Sequence, residues 1–196
     1  IGVSNMLAEL MTKGTKNKTP EQLENAIESL GATIKAYTSD ESIFIAGNTL
    51  EKNYNATMAL VQEIILQPRW DAKEFDLIKQ STLSQILQQK ADPNSIARNE
   101  FKKLIYGNES ILSNNRMGTE NAVNSITIDD LKNYYAKNMA PSVANFQIVG
   151  AISKKEVTHS LATLNKKWEA KKVAIPEIKA TNTVASSKIY FYDVPG

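Results

Sequence analysis

The chain has 196 residues, 42% of them hydrophobic and 22% charged, an ordinary globular composition that can build one sizeable core or two small ones. With 23 basic residues against 21 acidic ones the formal net charge is +2, too small a field to recruit nucleic acid, and apolar runs such as MALVQEIIL (Met58 to Leu66) fall short of the roughly 20 residues of a membrane span. No cysteine and only one histidine occur, which excludes disulfides, thiolate zinc sites, Cys-His nucleophile pairs and any site that needs two imidazoles.

The chain starts directly in helical pattern, with no basic leader or cleavage site, as a segment of a longer polypeptide would. NMLAELMTKGT, Asn5 to Thr15, sets apolar residues at helical spacing, places Asn5 and Glu9 four positions apart, and leaves through Lys-Gly-Thr. TPEQLENAIESLGA supplies Thr19 as N-cap, Pro20 at the first helical position, Gln22 at the capping-box position and Gly31 just past the end, with Leu23, Ile27 and Leu30 on the apolar face. TIKAYTSDESIFIAGNTL alternates around Asp40 and Glu41 and predicts a β-hairpin. EKNYNATMALVQEIILQP is a helix stopped near Pro68. DAKEFDLIKQSTLSQILQQK is another, capped by Asp71 and Glu74, with Phe75, Ile78, Leu83, Ile86 and Leu87 as its stripe.

A shorter helix is predicted around Ile96 to Tyr106, followed by a surface loop, GNESILSNNRMGT. Thr127 and Asp130 open the helix IDDLKNYYAKNM, Pro141 interrupts, and SVANFQIVG reads as a buried strand ending at Gly150. Ser153 and Glu156 form a further capping box, ahead of a helix with Val157, Leu161, Leu164 and Trp168 on one side. KIYFYDV is a last alternating strand. The expected organisation is an α+β domain over residues 1–170, without its first strands, then a linker at 171–187 and a strand at 188–196 leading into a second subdomain. The expected fold class is a mostly antiparallel sheet packed against several helices.

Taken together, GVSNMLAELMTKGT, the helix and hairpin after it, EIILQPRWDAKEFDLIKQSTLSQI, MGTENAVNSITIDDLKNYYAKNMAPSVANFQIVGAIS and KIYFYDVPG resemble, in order, the pitrilysin/insulinase family of zinc metallopeptidases, whose metal helix carries H-x-x-E-H. In that family the two His bind zinc, the Glu between activates water, and a Glu from a later helix completes the site. The resemblance puts Asn5 at the first His, Ala8 at the catalytic Glu, Glu9 at the second His and Gln85 at the distant Glu. None of the four matches. Two neutral amides offset no dication, a methyl group accepts no proton, and one carboxylate cannot hold the metal alone.

The resemblance therefore implies the first subdomain of an inactive half, with no catalytic residue, no metal ligand and no cofactor of its own. Zinc is expected in a paired active half, in the same polypeptide or a separate subunit, with a peptide substrate enclosed between the two. The alternative is a structural or binding subunit of a larger assembly without peptidase activity. A bacterial periplasmic or cell-envelope location is what the resemblance favours.

Other residues read more plainly. Glu9 is a solvated helix carboxylate, His159 lies off its helix's apolar face, and Asp129 and Asp130 serve the first turn of their helix. Tyr134, Tyr135 and Trp168 pack on the core, and the lysines of TKGTKNK and KKWEAKK form solvated surface. Sequons occur at Asn17, Asn55 and Asn108.

Overall fold

The computed structural model describes residues 1–108, 110–175 and 186–192. Its first helix, α1 (Val3–Met11), is the middle of the fold. Met6, Leu7, Ala8, Leu10 and Met11 are each at most 1% exposed. The hydrophobic core gathers around them, with Leu23, Leu60, Ile64, Phe75, Ile78, Val123 and Leu131 arriving from other elements. Burying each large apolar side chain contributes about 1.5–3 kcal/mol, which makes α1 the principal packing surface of the chain.

α1 begins where two glycines cross. Gly2, its N-cap, has φ 92°, and Gly118 has φ 89°. A Cβ on Gly2 would meet the Met117 carbonyl oxygen at 2.7 Å, and one on Gly118 would meet that of Ile1 at 3.1 Å. Only residues without side chains allow both this conformation and this approach. The crossing brings the loop around residue 116 beside the start of the helix.

α2 (Pro20–Ser29) has the capping box expected of it, Thr19 Oγ1 accepting from Gln22 N and Gln22 Oε1 accepting from Thr19 N. β1 (Thr33–Thr38) and β2 (Ile43–Asn48) then pair antiparallel in a register that sets Thr38 opposite Ile43 and Tyr37 opposite Phe44. The Tyr37 and Phe44 rings stack on the outer face at 5.3 Å, while Ile34 and Thr38 turn inward and are buried. α3 (Tyr54–Leu66) follows a short 3-10 turn at Glu51–Asn53. α4 (Ala72–Ala91) is capped by Asp71, whose side chain accepts from Lys73 N and Glu74 N. Its buried stripe is Phe75, Ile78, Thr82 and Ile86; Leu87, expected there, is 54% exposed. The spacing of 75, 78, 82 and 86 holds one helical face, and position 87 has rotated away from it.

α5 (Pro93–Tyr106) starts earlier than the apolar pattern indicates, because Asp92 caps it and Pro93 takes the first position. α6 (Glu120–Ser125), capped by Thr119, was not expected from the sequence. α7 (Ile128–Asn138) and α8 (Lys154–Lys167) both carry the capping boxes predicted, on Thr127 with Asp130 and Ser153 with Glu156. α8 is tied to α3 by a 2.7 Å hydrogen bond between the buried Tyr54 hydroxyl and Ser160 Oγ.

The expected fold class is corrected here. The protein is predominantly helical, and among the described residues the only sheet is the two-stranded hairpin. The segment 142–150, predicted as a buried strand, is a 3-10 turn followed by exposed chain, with Phe146 at 44% and Val149 fully open. Residues 188–192, the described part of the last predicted strand, pair with no described residue, and Ile189 and Phe191 are exposed. An alternating or β-branched run becomes a strand only where a neighbour takes its N–H and C=O groups, and among the described residues the hairpin alone finds one. Residues 176–185 of the predicted linker, and 193–196, lie outside the described residues.

Lys79 closes α6 from α4. Its Nζ donates to the carbonyls of Asn124 and Ile126, 2.8 Å each, and lies 5.8 Å from the centre of the Phe75 ring. Lys79→Met keeps the stem but removes the donor from both carbonyls. The expected loss is about 1–2 kcal/mol, read as a lower urea midpoint with unchanged denaturant slope.

Candidate functional site

Because α1 is buried on most sides, its polar residues Asn5 and Glu9 share a narrow half-exposed strip. One helical turn apart, they satisfy each other. Asn5 Nδ2 donates to Glu9 Oε1 at 3.1 Å, and Asn5 Oδ1 accepts from Thr38 Oγ1 at 3.1 Å. Both ends of the amide are thereby committed, one to its own helix and one to the hairpin. Thr38 continues outward through its backbone, where its carbonyl accepts from Arg116 Nη1. Arg116 Nε stands 3.7 Å from Asp40 Oδ1, and Lys102 Nζ reaches the same carboxylate at 3.1 and 3.2 Å. A continuous polar chain thus runs from Glu9 through Asn5 and Thr38 to the hairpin tip, held there by a cation from α5 and another from the loop before α6.

The four positions at which a zinc site was tested fall into two groups. Asn5 and Glu9 are brought together. Ala8 is fully buried and gives the core a methyl group. Gln85 turns back along α4, its Nε2 donating to Ser81 Oγ at 3.1 Å, and it makes no hydrogen bond to α1 among the described residues. The donors present do not fit a zinc ion. Both heteroatoms of Asn5 are engaged, and the single nearby carboxylate holds its proton more tightly than usual. Burial raises the Glu9 pKa above 4.5, against smaller lowering by the Asn5 hydrogen bond and the Lys13 charge. Among the described residues no group of three or more His, Cys, Asp or Glu side chains is placed to hold a metal.

Thr38, Lys102 and Arg116 were not singled out from the sequence, and Asp40 was named only as the turn of the predicted hairpin. The one signal available was an arginine standing alone in a Gly-, Asn- and Ser-rich loop. Asp129 pairs with Lys132 at 2.9 Å, and Asp130 accepts from Thr127, whose hydroxyl and N–H hold its pKa low. His159 is exposed, and Tyr134, Tyr135 and Trp168 are half-buried. Lys18 departs from the solvated surface expected of it: its Nζ lies 2.8 Å from both Glu63 oxygens, where Thr15 Oγ1 also donates. The sequon asparagines Asn17, Asn55 and Asn108 are exposed, with the Asn17 amide bonded to Gln67 Oε1.

Comparison with known proteins adds a second line of observation. The sequence pattern of insulinase (peptidase family M16) matches residues 1–120. The uncharacterized zinc protease YmxG of Bacillus subtilis is 24% identical over 152 residues, 78% of this chain and 37% of that protein. The non-peptidase homolog YmxG of Helicobacter pylori is 23% identical over 137 residues, 70% of this chain and 32% of that one. The chain thus spans about a third of these relatives. Among solved structures, a peptidase M16 inactive domain from Pseudomonas fluorescens superposes with TM-score 0.84 at 21% identity, covering 92% of this chain and 44% of that one. The periplasmic protease PqqL from Escherichia coli superposes with TM-score 0.78 at 22% identity, covering 92% and 21% respectively.

The raised Glu9 pKa sets a pH dependence. The folded state binds the Glu9 proton more tightly than the unfolded state does. The cost of ionising it is therefore absent below the ordinary value of 4.5 and sets in as pH rises through the higher folded value. Glu9→Gln removes that cost and keeps an acceptor for Asn5. The variant is expected to be more stable than the parent at pH 7 and to lose that advantage at pH 4, in parallel urea titrations.

Proposed function

The chain belongs to the insulinase family, peptidase family M16, and from that premise we propose that it is part of the non-catalytic half of a zinc-dependent peptidase. It forms a wall of the chamber that encloses an extended peptide, while the zinc site stands on a paired active half, in the same polypeptide or a separate subunit. The observation that carries this reading is the state of Asn5. At a position where the family places a metal-binding imidazole, this chain has an amide whose nitrogen and oxygen are both bound to protein. An amide so engaged keeps neither heteroatom free for an ion, and the one carboxylate beside it cannot hold a zinc alone.

The exposed outer face of the hairpin, with its stacked Tyr37 and Phe44, gives the chamber wall an apolar surface. On this reading residues 1–170 are one unit, and the chain from 188 onward leads into a further subdomain. The likeness to PqqL supports a periplasmic or envelope location. A second reading, a structural or binding subunit with no peptidase partner, draws support from the Helicobacter relative, which is named a non-peptidase homolog.

Zinc analysis of the purified assembly tests both. The first reading expects one zinc per pair of halves, on a partner with intact H-x-x-E-H and a Glu about 75 residues later. Asn5→Ala with Glu9→Ala should leave zinc content unchanged and kcat/KM within about twofold, whereas removing this half should lower kcat/KM at least about tenfold. Loss of zinc in the double variant would overturn it, and an assembly without any zinc-bearing partner would favour the second reading.

A further inference from the structure

A concavity of about 850 Å³ opens where the exit of α1 meets the link between α3 and α4, lined by none of Asn5, Ala8, Glu9 or Gln85. The two segments are stitched together. Lys16 N donates to the Gln67 carbonyl at 2.8 Å, and Thr15 pairs with Pro68. Trp70 then takes a left-handed conformation, φ 57°, which bulky side chains seldom adopt. Its ring meets Tyr135 edge to face at 5.4 Å, and the Tyr135 hydroxyl donates to the Ile65 carbonyl at 2.6 Å. The half-buried indole and phenol line the interior, and the exposed Lys16, Arg69 and Lys73 surround it.

Among the described residues the lining carries three cations, Lys16, Arg69 and Lys73, against one carboxylate. The one carboxylate among the lining residues, Asp71, accepts from Lys73 N at 2.9 Å, Glu74 N at 3.3 Å and Arg69 Nε at 3.2 Å. Lys16 and Lys73 pair with no carboxylate among the described residues, and the Trp70 indole N–H has no acceptor among them. The concavity lies in the range that takes drug-sized ligands, far larger than a single small anion needs, and its aromatic lining calls for an apolar group beside the negative ones. We propose that it is a docking site for an acidic peptide segment of another protein, whose carboxylates meet Lys16 and Lys73 and whose apolar side chain lies on Trp70 and Tyr135. The site is independent of whether the chain has a zinc-bearing partner.

Fluorescence anisotropy with a labelled peptide of alternating glutamate and phenylalanine tests this. Saturable binding is expected, weakening with added salt and at least about tenfold weaker for the glutamine counterpart. The double variant Lys16→Glu, Lys73→Glu, exposed at both positions and so expected to melt like the parent, should lose at least about tenfold in affinity. Trp70→Leu should weaken binding without altering the salt slope. Equal binding of the glutamine peptide, an unaffected charge-reversal variant, or displacement by inorganic phosphate at constant ionic strength would overturn the proposal. So would the absence of saturable binding.

Discussion

The structure depends on the near-complete burial of one short helix. α1 has five residues at or below 1% exposure, and the hairpin, α4 and α7 all pack against it. A helix so enclosed has little room for polar groups, and each that remains must be satisfied by something close. In a metal-binding relative the ion could do this. Here an asparagine one turn from a glutamate provides a donor for the carboxylate and an acceptor for a threonine. The arrangement is electrostatically mild: one half-buried carboxylate, hydrogen-bonded and with raised proton affinity, needs no dication to balance it.

That local solution reaches outward because Thr38 contributes twice, with its hydroxyl to Asn5 and its carbonyl to Arg116. The hairpin is thereby fixed to α1 on its inner face and, through Asp40, to Lys102 at its tip. The ion pairs at the tip are partly exposed and individually worth about 0–1 kcal/mol. Their effect is geometric, holding the turn against α5, while the core below supplies the free energy. The glycine crossing of residues 2 and 118 makes this possible, since a side chain at either point would push the Arg116 loop away from the helix it serves.

Much of this was legible in the sequence, and for identifiable reasons. The capping boxes at Thr19, Thr127 and Ser153 form as their residues indicate, because a cap involves side chains and N–H groups within three positions. That the first helix carries neither imidazole nor thiolate was equally plain, since it turns on which atoms the residues carry. Less legible were the start of α5, where an Asp-Pro pair outranked the apolar pattern, and α6, too short for periodicity to register. The strand expected at 142–150 failed because a hydrophobic run records a preference for burial without naming the neighbour that would provide it.

The sequence by itself determined where most helices begin and end, and that its first helix has no zinc-binding set, because both follow from residue identity over a few adjacent positions. Only the tertiary structure decided that Asn5 meets Thr38 across 33 positions, that Lys102 reaches Asp40 across 62, and that Arg116 reaches Thr38 across 78. Such pairs leave no local period to read. They are fixed by how α1 is buried, and the enclosure of α1 is a property of the whole packed chain.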